Sequence, residues 1–197
     1  MLDPNRTVCV LNDMVNAGLR RRNDPEHNQQ IADSGLIPHV VKLVAFLRER
    51  GVPIFWVRVE RRVDRRDIID NLTDVKSGWH LPTPIVAGSY ESTNVEELPI
   101  QAEDQVVMKP RFDPFVGTDL DIQLRARGTD TILLGGYSTN VGVESCARTA
   151  HDLGYNVVLL SDCCYNVRND LHEFAITHIL PRFARVMSSD EMFRLLP

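Results

Sequence analysis

Six short apolar runs, at residues 7–11, 53–59, 105–108, 132–134, 156–160 and 185–187, constrain this chain more than any other feature. Runs this short, rich in Val, Ile and Leu and bounded by polar residues, read as strands buried on both faces. The spans between them carry helical patterning. In residues 34–50, Leu36, Val40, Leu43, Val44 and Leu47 recur at helical spacing. Ser34 is a cap type there, Pro38 suits the first turn and Gly51 ends the segment. Thr118 opens a helix that ends near Gly128, another begins near Val141, a further one covers residues 170–180, and Ser188 caps a closing one. Strand and helix alternate throughout. The expected fold is therefore α/β, a three-layer α-β-α sandwich around a mainly parallel central sheet. At 197 residues the chain fits one domain, residues 1–197.

Composition narrows the function classes. A net charge of −5 argues against a nucleic-acid partner. No apolar run reaches membrane-spanning length, and MLDPNRTVCV lacks the charged-then-apolar pattern of a signal peptide. The four cysteines, Cys9, Cys146, Cys163 and Cys164, have neither metal nor disulfide spacing. They read as small buried hydrophobes in a reduced, cytoplasmic protein. Residues 18–33 are polar and include Arg20-Arg21-Arg22, a loop with a solvated basic patch. Residues 61–104 are the least regular part, charged at first and then interrupted by Pro82, Pro84 and Gly88. An irregular insertion of that length reads as a lid that sets specificity. Trp79 and His80 within it are candidates to line a pocket.

Three strand ends carry groups suited to chemistry. Asp13 lies just past residues 7–11, Lys109 follows residues 105–108, and Gly135-Gly136 follows residues 132–134. Open parallel sheets place ligands at these carboxyl ends. The double glycine reads as a tight turn into the helix near Val141, with Ser138 and Thr139 as cap types. A glycine turn at a helix N-terminus presents unpaired N–H groups to an oxyanion. Arg58 and Glu60 end the second strand on one face by period-two spacing. With Trp79 and Tyr137 they are candidates for the pocket wall; a surface ion pair is the plainer account of the two. A lone aspartate is most often a turn or cap residue, and a lone lysine is most often solvated. Residue type alone therefore assigns neither Asp13 nor Lys109.

The run Gly136-Tyr137-Ser138-Thr139-Asn140-Val141-Gly142-Val143-Glu144-Ser145 resembles a signature of the isochorismatase-like hydrolase superfamily, which contains the cysteine amidases. Two further motifs are similar: the first strand running into Asp13-Met14-Val15-Asn16, and Lys109 followed by Phe115-Val116-Gly117-Thr118-Asp119-Leu120. The order of elements matches over nearly the whole chain. The resemblance implies that Asp13 is the catalytic base, that Lys109 fixes its charge within about 4 Å, and that the Ser138 and Gly142 N–H groups hold an oxyanion. It also implies a cis peptide at Tyr137–Ser138. The amidases' nucleophilic cysteine falls at position 142, which is glycine here. A small-molecule substrate, no cofactor and a homo-oligomer (dimer or tetramer) are implied in the same way. Nicotinamidases of the superfamily bind a metal through histidines after the second strand. Val57-Arg58-Val59-Glu60-Arg61 has none, so no metal is expected. Cys146, four residues past Gly142, lies roughly 6 Å further along the helix and is not expected to act as nucleophile.

Three readings of activity follow. The first is a hydrolase of amide or ureide C–N bonds with Gly142 in place of the cysteine, as a natural variant or as an inactivated form. The second is a vinyl-ether hydrolase of isochorismatase type with Asp13 as general acid. The third is a non-catalytic binding protein on the same scaffold. Ser138-Thr139-Asn140 and Val143-Glu144-Ser145 extend the match to the amidases further than Val141-Gly142-Val143 extends the second reading.

Overall fold

The first strand, β1 (Thr7–Asn12), is buried at every residue, as a strand covered on both faces must be. A computed structural model of the chain describes residues 1–69, 73–74 and 85–196. The remaining strands are β2 (Ile54–Val59), β3 (Gln105–Lys109), β4 (Thr131–Tyr137), β5 (Asn156–Tyr165) and β6 (Arg185–Met187). Among the described residues these six form a parallel sheet in the order β3-β2-β1-β4-β5-β6. The order runs outward one way from β1 to β3 and the other way from β4 to β6. The reversal between β1 and β4 is the switch point at which such sheets form clefts.

Helices α1 (Asn16–Leu19), α2 (Pro25–Asp33), α3 (Leu36–Glu49), α4 (Leu120–Ala126), α5 (Glu144–Asp152), α6 (Asn169–Phe174) and α7 (Ser189–Phe193) connect and cover the strands. Alternate residues of β1 divide the core. Cys9 and Leu11 pack with Val40, Leu43 and Leu47 of α3. Val8 and Val10 pack with Leu120 and Leu124 of α4 and Ala147 and Ala150 of α5. The result is the three-layer α-β-α sandwich. No single helix among the described residues is long and apolar enough to cross a membrane.

Several local expectations change. Residues 25–33 form α2 rather than loop: Pro25 opens it and the Asp24 side chain accepts the His27 N–H at 3.1 Å. Only His27 and Ile31 of α2 are buried, too few for a clear periodic signal. The basic patch is exposed at Arg21 and Arg22, and its side chains also find partners: Arg20 pairs with Glu97 at 2.8 Å and Arg22 stacks on Tyr90 at 4.4 Å. Gly135-Gly136 is not a turn; both glycines lie inside β4, opposite Leu11 and Asn12 of β1. β5 continues through Ser161-Asp162 to Tyr165, because Cys164 and Tyr165 pair with Gly136 and Tyr137 beyond a register shift. Helix α6 gives way at Ala175 to a wider turn, Ala175–Ile179. Within the insertion, the described part holds one short helical turn, Tyr90–Ser92. Residues 93–95 lie along residues 14–16, with Asn16 N–H to Thr93 O at 2.9 Å and Val95 N–H to Met14 O at 3.1 Å.

One polar contact inside this core has a measurable weight. The Asp104 side chain, 3% exposed, accepts from Arg48 at 2.6 Å and from Trp56 Nε1 at 2.9 Å, and the Gln101 N–H adds a third bond at 2.9 Å. Asp104→Ala leaves a mostly buried guanidinium and an indole N–H without their acceptor. Breaking a buried pair in this way costs about 3–5 kcal/mol. The expected result is a lower urea midpoint with an unchanged denaturant slope.

Candidate active site

The C-terminal ends of β1 and β3 bring one acid and one base together. Asp13 follows β1 with φ 49°, and its own N–H donates to Val57 O at 2.8 Å. Its Oδ1 accepts the Val59 N–H at 3.1 Å. Its Oδ2 lies 2.6 Å from Lys109 Nζ. The lysine side chain is 2% exposed and the aspartate 19%, so solvent screens this pair far less than a surface one. Lys109 Nζ also donates to Phe112 O at 3.1 Å and Asn12 Oδ1 at 3.4 Å. Alternation along β3 turns Lys109 inward with Val107, while Met108 is exposed.

Gly142 completes the group. It lies in the turn Thr139–Val143, between β4 and α5, and is buried. A Cβ at this residue would stand 3.0 Å from Lys109 Nζ, 3.5 Å from Phe112 O and 3.6 Å from Asp13 Oδ2. The Tyr137–Ser138 peptide that enters the turn is cis. Asp13, Lys109 and Gly142, which the sequence places 96 and 33 residues apart, are therefore neighbours.

The candidate wall residues have other partners. Arg58 and Glu60 pair with each other at 3.0 Å, both mostly buried. Arg58 follows Trp56 by alternation and so shares the α3 face of the sheet, whereas Val57 faces α5. Tyr137 packs against the α3-side core, with its ring close to Gly18 and edge-on to His27 at 6.2 Å. Burial raises the Tyr137 phenol above its ordinary range. Trp79 and His80 lie outside the described residues.

The cysteines do not supply a thiolate here. All four are free and buried. Cys146, one helical turn past Gly142, is fully buried, and burial pushes its thiol up to about 12. No group of three or more His, Cys, Asp or Glu among the described residues is arranged to hold a metal.

Sequence reasoning missed three residues near the site. Arg61 is 4% exposed and donates to Pro110 O at 2.8 Å, directly after Lys109; its guanidinium is held below its usual range by burial, while Asp67 and Asp13 oppose that shift. Asn166 donates to both Ser138 Oγ and Asn140 Oδ1. His172 Nδ1 lies 2.8 Å from Thr139 Oγ1, and burial lowers its pKa below the ordinary value. Asn166 and His172 meet the turn from 28 and 33 residues away, so no local pattern announces them.

A covered parallel sheet with an ion-paired carboxylate at its switch point is the architecture of an α/β enzyme. Residues 7–191 match the isochorismatase domain family. The chain belongs to that family and is a hydrolase. It is 39% identical over 155 residues to YecD, an isochorismatase family protein of Escherichia coli O157:H7, with 79% of this chain and 80% of the relative covered. It is 29% identical over 192 residues to the ureidoacrylate amidohydrolase RutB of Methylobacterium radiotolerans, covering 90% of this chain and 74% of the relative. The structure of an isochorismatase family protein from Burkholderia thailandensis superposes with a TM-score of 0.83 at 31% identity, covering 98% of this chain and 96% of the other.

Proposed function

We propose that this chain hydrolyses the C–N bond of a small amide or ureide, with Gly142 standing at the nucleophile position and water acting in place of a thiol. The observation that carries this reading is the Asp13–Lys109 contact of 2.6 Å beside a glycine whose missing Cβ would lie 3.6 Å from Asp13. Both Asp13 oxygens accept hydrogen bonds, Oδ1 from the Val59 N–H and Oδ2 from Lys109, which fixes the orientation of the carboxylate. Asp13 Oδ2 takes a proton from water, and the water oxygen bonds to the substrate carbonyl carbon. The carbonyl electron pair moves to oxygen, toward the Ser138 and Gly142 N–H groups. The C–N bond then breaks, the nitrogen takes the proton from Asp13, and an amine or ammonia leaves. Lys109 holds the carboxylate in place through both proton transfers. The likeness to an amidohydrolase over 90% of the chain supports the choice of a C–N bond.

The test is ammonia or amine release from a panel of small amides and ureides. Asp13→Asn keeps the shape and removes the base, and activity should fall by about 10²–10⁴-fold, the usual contribution of a positioned general base. No release by the unaltered chain from any member of the panel, or equal release by Asp13→Asn, overturns the reading.

Gly142 itself favours one second reading, vinyl-ether cleavage of the isochorismatase type, since no side chain at 142 stands against the Lys109–Asp13 pair and that reaction needs a general acid rather than a nucleophile. Isochorismate added to the same panel distinguishes the two. Turnover of isochorismate alone, lost in Asp13→Asn, selects the vinyl-ether reaction.

A further inference from the structure

Gly142 has no side chain to anchor it, and it lies in a five-residue π-helical turn, Thr139–Val143. Both features leave the peptide at this position free to reorient unless other groups fix it. Those groups come from beyond β5. Asn166, 9% exposed, donates through Nδ2 to Ser138 Oγ and Asn140 Oδ1. Its Oδ1 accepts the Arg168 N–H at 2.8 Å. Donors and acceptors thus meet both ends of the amide, which settles its orientation. Ser138 O in turn accepts from Val141 N–H at 3.2 Å and Val143 N–H at 3.3 Å, the residues on either side of Gly142. Thr139 is held separately, 2.8 Å from His172 Nδ1.

We propose that Asn166 is a positioning residue: by holding Ser138 and Asn140 it sets where position 142 stands relative to Asp13 and Lys109. The inference rests on the reading of the site given above. A primary amide suits the role because it carries two donors on one nitrogen, enough to bridge two acceptors two residues apart. Leucine has the same outline and no donor.

A thiol placed at 142 makes a reporter that needs no substrate. In Gly142→Cys the four native cysteines remain buried, so alkylation by iodoacetamide reads the new thiol, with the unaltered chain as background. The pH dependence of the rate gives the thiol's apparent pKa. That value should lie below the free value of about 8.5, given Lys109 and the helix start. Adding Asn166→Leu should raise it by about one unit toward that free value. Adding Asp104→Ala instead weakens the fold at the far end of β3 and should leave it unmoved. If Asn166→Leu does not fold, Asn166→Ser, which keeps one donor, should show a smaller rise. An unchanged apparent pKa in the folded Asn166 variant, with only a lowered melting temperature as in Asp104→Ala, assigns Asn166 a structural role and overturns the proposal. Absence of hydrolysis in every form would sink the proposed function and leave the alkylation result readable.

Discussion

Gly142→Cys should hydrolyse small amides or ureides faster than the chain as it stands, because a thiol activated by Asp13 is a stronger nucleophile than water activated by the same base. The space permits the change. The new Cβ would meet Lys109 Nζ at 3.0 Å, tight by a few tenths of an ångström, but Nζ ends a flexible chain and can give way. Phe112 O at 3.5 Å and Asp13 Oδ2 at 3.6 Å are ordinary contacts. The thiol would face a carboxylate able to take its proton and a cation able to stabilise the thiolate. An amide carbonyl then meets a far stronger nucleophile than water, and a covalent acyl intermediate divides the reaction into two easier steps. Ammonia release and intact-protein mass after rapid quench are the measurements; a mass increase matching the acyl group is expected. Asp13→Asn in the same background should abolish both. No adduct and no release from a well-folded Gly142→Cys, together with no turnover of the amide panel or of isochorismate by the unaltered chain, would place the binding-protein reading ahead of both enzymatic ones.

The two charged groups at the centre were legible because each ends an apolar run, and because their motifs resemble a known superfamily. Residue type alone did not join them, since 96 residues separate Asp13 from Lys109. What holds position 142 was not legible. Asn166 and His172 lie just past β5 and in α6, in polar stretches without periodicity, and their partners are fixed only when β4 and β5 pair. β5 itself was cut short at Ser161-Asp162 because polar residues interrupt the apolar run. The structure uses that aspartate to accept the Ser189 N–H at 2.8 Å and hydroxyl at 2.7 Å at the start of α7. α2 escaped notice for a related reason, having two buried residues among nine. Local pattern reports burial well and reports polar cross-links poorly, and this turn is secured by polar cross-links.

Gly136 was legible as a glycine that matters and misread as to why, and its replacement should have the largest effect on stability. A Cβ there would lie 2.1 Å from Asn12 O, 2.5 Å from Asn12 N and 2.8 Å from Asn12 C. These are backbone atoms of the neighbouring central strand, with no rotamer to change. The residue also holds φ 120°, which disfavours any L side chain. For Gly136→Ala to fold, β1 must move away from β4 at the point where Asp13 follows Asn12. The cost should exceed about 4 kcal/mol, in the range reached only by severe core disruption and a large share of the roughly 5–15 kcal/mol that stabilises a domain. At about 2–4 °C per kcal/mol for a chain of this size, the melting temperature should fall by at least about 8 °C. Gly51→Ala provides the comparison, with φ 66° and nothing within 4 Å of the added methyl. It should cost about 1–2 kcal/mol, the left-handed penalty alone. If Gly136→Ala melts within the range of Gly51→Ala, the close approach of β1 and β4 is not what requires glycine. If it melts far lower but still folds at low temperature, Asp13 should have moved from Lys109, and the Gly142→Cys thiol in that background should titrate near its free value of about 8.5.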